Sequence, residues 1–148
     1  MGEMLLEAVG LSKRFRVGRR DTPWSRASHL HAVDDVDLRL RRGESVGLVG
    51  ESGCGKSTTG LAILRMLEAT GGRIAFEGQD ITRHDAARMR PLRRRMQMVY
   101  QDPYGSLNPR MTVRDIIGEP LVVHGLAGDR RAYSDRVAEL MELVGLLP

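Results

Sequence analysis

Between residues 45 and 58 the chain reads Ser45-Val46-Gly47-Leu48-Val49-Gly50-Glu51-Ser52-Gly53-Cys54-Gly55-Lys56-Ser57-Thr58. A short apolar run enters G-x-x-x-x-G-K-S, and an apolar helical pattern through Leu61, Ile63, Leu64 and Leu67 leaves it. Buried strand, glycine-rich turn and helix in that order are the context in which this motif cradles phosphate, which predicts an α/β fold. Glycines at 50, 53 and 55 let the backbone curl so that successive N–H groups face one anion without side chains in the way. The opening of the next helix adds its unpaired donors and its dipole. Lys56 supplies a compact positive charge for terminal phosphates, Ser57 a hydroxyl for Mg²⁺, and Thr58 a further donor. Ser52 and Cys54 complete the loop that would wrap the nucleotide. A glycine-rich turn matching by chance would need none of this context, so the segment is read as a nucleotide site.

The rest of the chain organises around that turn. Leu5 to Val9 reads as a strand, and Val36, Leu38 and Leu40 alternate with Asp35, Asp37 and Arg39 as a half-buried one. Residues 16–28, with Trp24, read as a loop or hairpin insertion. Gly71-Gly72 is the expected stop of the apolar helix, followed by a small hairpin around Glu77-Gly78. A basic helix over Ala86 to Arg95 leads into an apolar strand from Met96 to Val99. Helical patterns follow from residue 112 onward, over Val113 to Val123 and Arg131 to Val144, with Gly145 at the end.

Composition narrows the function classes. The chain has 148 residues, 41% of them hydrophobic and 28% charged, as expected of a chain with a packed core rather than a disordered one. No apolar run approaches the roughly 20 residues of a membrane span, and Met1 to Glu7 lacks the basic flank of a signal peptide. A chain that is neither secreted nor membrane-spanning is expected. All but two of the 23 basic residues are arginines, the exceptions being Lys13 and Lys56, for a net charge of +4. They are spread along the chain and few aromatics accompany them, so no nucleic-acid partner is expected. One cysteine, Cys54, excludes an internal disulfide and a multi-cysteine zinc site. Cys54 is either a small residue tolerated in the loop or a thiol activated by Lys56 and the helix terminus.

Two longer segments carry a resemblance. Val49 to Thr59 and Met96-Gln97-Met98-Val99-Tyr100-Gln101-Asp102-Pro103-Tyr104-Gly105-Ser106-Leu107-Asn108-Pro109-Arg110 resemble the ATP-binding subunits of ABC transporters. Within that family they look like the oligopeptide and dipeptide importers, and Arg94 to Val99 is similar to their F-type subunit. The resemblance runs from about Leu5 to Pro148. It implies a P-loop NTPase core of ABC type with an N-terminal antiparallel β subdomain, and residues 1–148 as the N-terminal part of one ATP-binding domain.

Carried over by position, the resemblance makes Phe15 the aromatic on which adenine stacks, where the bland alternative is a core phenylalanine. Gly50, Ser52, Gly53, Cys54, Gly55, Lys56, Ser57 and Thr58 hold ATP; Ser57 and Gln101 hold Mg²⁺; Lys56 and Gln101 are the catalytic residues. Gln101 would also report the γ-phosphate to a membrane partner, unless it is an ordinary strand-end polar residue. Tyr104 to Val123 would face the permease, while Asp102, Tyr104 and Asn108 are also natural turn formers. The implied partners are transmembrane permease subunits, a second ABC ATPase subunit as homo- or heterodimer, and indirectly a solute-binding protein. The implied place is the cytoplasmic face of the membrane.

The family's Leu-Ser-Gly-Gly-Gln signature, its strand ending in Asp-Glu and its switch histidine do not occur in this sequence. The chain therefore reads as the first half of a longer subunit, stopping before the signature and the Walker B strand. Such a piece is expected to hold nucleotide without an evident general base, and to leave strand edges unpaired. His29, His31, His84 and His124 read as surface histidines. Two other functions stay open at this stage, a nucleotide-binding module without turnover and an ABC-type protein without a permease.

Overall fold

In the computed structural model, which describes residues 2–17 and 28–147, the first two strands are long partners. β1 (Met4–Val17) and β2 (Ser28–Arg41) run antiparallel, with Leu6 opposite Leu40, Ala8 opposite Leu38 and Val17 opposite Ser28. Both strands therefore extend further than the alternation alone suggests. Of the expected insertion, residues 16, 17 and 28 are strand, and 18–27 with Trp24 lie outside the described residues.

The pairing slips where the chain needs to bend. Gly10 and Asp35 both adopt left-handed φ, 61° and 51°. The Gly10 N–H donates to Asp37 Oδ1 at 2.7 Å and the Asp35 N–H to Ser12 Oγ at 3.1 Å, so side chains take up donors that the ladder has dropped. The slip also moves the inward positions from Leu6 and Ala8 to Leu11, which keeps all three in the core.

β1 is interior to a four-stranded sheet ordered β2-β1-β3-β4. On its other side lies β3 (Gly71–Phe76), with Leu6 opposite Phe76 and Ala8 opposite Ile74. Gly72, at φ 87°, lies so close to β1 that a Cβ there would stand 2.5 Å from the Gly10 carbonyl oxygen. β4 (Gln79–Asp80) returns through Glu77-Gly78, whose φ values of 49° and 77° are those of a two-residue hairpin turn. Leu6, Ala8, Leu11, Ile74, Phe76 and Ile81 bury one face of this sheet against α1 (Lys56–Ile63) through Ala62 and Ile63, with Met89 and Met96 in the same cluster.

Asp80 closes the small hairpin electrostatically. The Thr82 hydroxyl first, then the Thr82 N–H and Arg73, hold its carboxyl at about 2, below the ordinary 3.8. The folded state thus binds this proton less readily than the unfolded one, and the stabilisation is complete above pH 4 and lost as pH falls toward 2. In Asp80→Asn the part of the acid-unfolding slope between pH 4 and 2 that this carboxylate contributes is expected to vanish, while stability at pH 2 stays as in the wild type.

Three local expectations need correction. α1 ends at Ile63 rather than running past Leu67, and Gly71-Gly72 begin β3 instead of stopping the helix. The stop is Arg65 at φ 55°, with its N–H donating to the Ala62 carbonyl and the Met66 N–H to that of Leu61. The Arg93 guanidinium donates to the carbonyls of Leu64 and Arg65, a cap from a distant residue that helix periodicity cannot announce. The basic helix is shorter too: α2 (Ala86–Leu92) is capped by Asp85, and residues 93–95 are turn.

The third correction concerns strands. Residues 45–49 and 96–99 are not in the sheet. Val49 is 93% exposed and Val99 95%. An extended apolar segment becomes a strand only when a neighbour accepts and donates along it, and among the described residues neither segment has one.

The chain divides into two compact units, Met1–Met96 and Gln97–Pro148. The second is helical: α3 (Pro103–Ser106), α4 (Val113–Val123) and α5 (Arg130–Leu143). Thr112 and Asp115 bond reciprocally at the start of α4, Gly125 at φ 66° ends it, and Asp129 caps α5. Gly118 lets α4 lie against Tyr133 of α5, where any Cβ would overlap the phenol ring, and Arg114 stands over that ring at 5.8 Å.

Candidate functional site: a phosphate cradle at the start of α1

The turn from Gly50 to Gly55 is shaped by two contacts that leave no room for side chains. A Cβ on Gly55, at φ 99°, would overlap the Ala32 carbonyl oxygen of β2. A Cβ on Gly50 would stand 2.6 Å from Cys54 Sγ. The Cys54 N–H donates to the Glu51 carbonyl at 3.3 Å and closes the turn. Sheet and loop are thereby locked together at Ala32, next to the buried Val33.

Lys56 turns back over the loop it follows. Its ammonium donates to the Gly50 carbonyl at 2.7 Å and to the Glu51 carbonyl, and lies 3.5 Å from Cys54 Sγ. Among the described residues no carboxylate pairs with it, so the positive charge is held at the loop by the two carbonyls and the Cys54 sulfur. α1 begins directly below. Its N-cap is Gly55, no side chain caps it, and its first turn holds no acid. The opening N–H groups of a helix have no intrahelical acceptor, so this end presents donors and a positive dipole to whatever occupies the loop. Thr59 is already committed: its N–H and its hydroxyl both donate to the Gly55 carbonyl, at 2.8 and 3.0 Å. Ser52, Gly53, Cys54 and Ser57 are exposed, and Lys56 and Thr58 half-buried.

The residues expected from the motif, Gly50, Ser52, Gly53, Cys54, Gly55, Lys56, Ser57 and Thr58, are thus contiguous in one loop and helix start. Phe15 lies on β1 opposite Leu30, outside the hydrophobic core and 37% exposed. Lys13 Nζ stands 5.1 Å from its ring centroid and is tied to the Glu68 carbonyl at 2.7 Å. Gln101 is exposed in the second unit, shortly before α3. Asn108 is a turn former: its Oδ1 accepts the Arg110 N–H at 3.0 Å. Sequence reasoning missed Ala32, whose backbone carbonyl walls the cradle. A main-chain contact across the sheet leaves no trace in residue type, so no signal could have found it.

A match to the family described as "ABC transporter" covers residues 33–148. The chain belongs to that family. Among curated ABC proteins, the oligopeptide transport ATP-binding protein OppF of Bacillus subtilis (strain 168) is 48% identical over 99% of this chain, which spans 46% of OppF. The glutathione import ATP-binding protein GsiA of Salmonella typhi is also 48% identical over 99% of this chain, and here the chain spans 23%. The chain is therefore less than half the length of the curated relatives it matches. Two solved ABC structures share its fold at 22% identity. One is the dimeric post-hydrolysis state of the cassette MJ0796 bound to ADP and Pi, with a TM-score of 0.75 over 94% of this chain and 56% of its own. The other is cbiO1 from Clostridium perfringens, part of the transporter complex cbiONQ, with a TM-score of 0.67 over 97% and 51%. The fold is accordingly that of the part of an ABC cassette which the chain spans, with the antiparallel β subdomain contributed by β1 to β4. Among the described residues no helix is long and apolar enough to cross a membrane.

Proposed function

We propose that this chain is the nucleotide-binding part of an ABC importer's ATP-binding subunit, serving oligopeptides, dipeptides or a related solute. The observation that carries the reading is the cradle at α1, where a Lys56 ammonium with no carboxylate partner among the described residues, Gly50 and Gly55 with no space for a Cβ, and a helix N-terminus without a side-chain cap converge. The 48% identity to OppF and GsiA across the whole chain supports the solute class. Residues 1–148 form, on this reading, the N-terminal part of one ATP-binding domain.

The residues fit Mg·ATP. Backbone N–H groups from Gly53 to Thr58 would hold the phosphates, and Lys56 would exchange its two loop carbonyls for phosphate oxygens. The Ser57 hydroxyl and Gln101 would serve the magnesium, and Phe15, exposed on β1, would stack on adenine. When bound, Mg·ATP supplies the phosphoanhydride bond whose hydrolysis the complete subunit uses. The part of this chain is to bind the triphosphate, orient it and hold positive charge against it. Gln101 would pass the state of the site to a permease through the Tyr104 to Val123 segment. The proposed partners are permease subunits at the cytoplasmic face of the membrane, a second ABC ATPase subunit and, through the permease, a solute-binding protein.

Gln101→Ala tests the coupling role in the full subunit within its transporter. Peptide uptake in cells is expected to fall at least about tenfold, the scale of one lost charge-assisted contact, while Mg·ATP affinity changes less than about threefold. Unchanged uptake would remove Gln101 from the mechanism.

A further inference from the structure

Away from the cradle, the small hairpin and the start of α2 enclose a second cationic feature. A cleft of about 420 Å³ is lined by Gly72 and Arg73 of β3, Asp80 of β4, and Thr82, Arg83, His84 and Arg88 around the β4–α2 connection. Its charge is unbalanced. Asp80 is its one carboxylate, and that carboxylate is spent: Oδ2 accepts from Arg73 Nε at 2.9 Å and Oδ1 from the Thr82 N–H at 2.9 Å. With a pKa of about 2 it stays ionised at neutral pH and cancels only Arg73. The guanidinia of Arg83 and Arg88 have no carboxylate partner among the described residues. The neighbouring Asp85 turns one oxygen to the Arg88 backbone N–H as the cap of α2.

The segment carrying these cations is held still. Ile81 is fully buried, its N–H bonded to the Ile74 carbonyl at 2.9 Å. Thr82 Oγ1 accepts from the Ile74 N–H at 2.7 Å. The His84 carbonyl accepts from Arg65 at 3.1 Å, and its N–H reaches the Ile81 carbonyl at 3.1 Å. Two guanidinia without a carboxylate partner among the described residues thus line the cleft, Arg83 on the anchored turn and Arg88 on the first turn of α2, an arrangement that suits bidentate recognition of phosphate oxygens. The volume is large enough for more than one phosphate group.

We infer that the Arg73–Arg83–His84–Arg88 cleft is an anion site, separate from the α1 cradle, for a ligand carrying one or more phosphate groups. Either a soluble polyphosphate or a phospholipid headgroup supplies that chemistry. The inference stands independently of the function proposed for the cradle.

The test uses the full chain in a Lys56→Ala background, so that the α1 cradle does not dominate binding. Two probes are titrated: inorganic pyrophosphate by calorimetry, and vesicles of phosphatidylcholine and phosphatidic acid in equal parts by co-sedimentation, with pure phosphatidylcholine as the blank. Adding Arg83→Ala and Arg88→Ala is expected to weaken binding to at least one probe about 100-fold, two charge-assisted contacts at roughly tenfold each. Both side chains are exposed, so their removal leaves the fold intact, and circular dichroism melting checks this. Arg130→Ala with Arg131→Ala removes the same charge from α5 and is expected to change neither titration. Loss with pyrophosphate assigns a soluble ligand, and loss with vesicles a headgroup. Equal binding by the two double substitutions, or no binding of either probe, overturns the inference.

Discussion

Lys56→Ala is expected to weaken Mg·ATP binding by about 100-fold or more, the loss of one charge-assisted contact to each of two phosphates. The fold is expected to survive, because the ammonium bonds only to the carbonyls of Gly50 and Glu51 in an exposed loop and supports nothing in the core. Lys56→Arg is expected to rescue little. A planar guanidinium is longer and directional, and the position between two carbonyls suits a compact charge with rotatable donors. Equilibrium titration with a fluorescent ATP analogue measures both variants. Wild-type affinity in Lys56→Ala would remove the lysine from the site.

The second large effect is on the loop's footing. Gly55→Ala forces a Cβ onto the Ala32 carbonyl oxygen at a φ of 99°, so strain and overlap with a rigid backbone add. We expect a loss of about 3 kcal/mol and a melting temperature lower by about 10 °C. Gly53→Ala is the internal comparison. Its φ of 82° is also left-handed, but nothing lies within 4 Å of the added Cβ. It should cost only the conformational strain, about 1 kcal/mol. Equal melting temperatures for the two variants would mean that β2 does not clamp the loop.

The expected chemistry of the site is easier to read in the sequence than its support. The roles proposed for the glycines at 50, 53 and 55, and for Lys56 and Ser57, follow from residue type and spacing within one loop and helix start. The helices around Val113 and Arg131 were legible because their apolar periods are bracketed by Thr112, Asp129 and Gly145, caps that act locally. What could not be read depends on distant partners. Arg65 ends α1 in a left-handed conformation rarely taken by arginine, and Arg93, far along the chain, caps the freed carbonyls. The segments at 45–49 and 96–99 have strand-like composition, yet strand formation is a property of a pair and neither finds its neighbour among the described residues. Even within β1 the inward face shifts between Ala8 and Leu11 because the register slips at Gly10, which an alternation count does not foresee.

The central claim is that a nucleotide triphosphate is held by the backbone from Gly53 to Thr58 under the Lys56 ammonium. Amide chemical-shift mapping of the ¹⁵N-labelled protein during titration with Mg·ATP tests it most directly. The account predicts that the largest changes fall on the N–H groups of residues 53–58 and saturate with one nucleotide per chain. Shifts that leave those amides unmoved while others respond, or no saturable change at all, would contradict it.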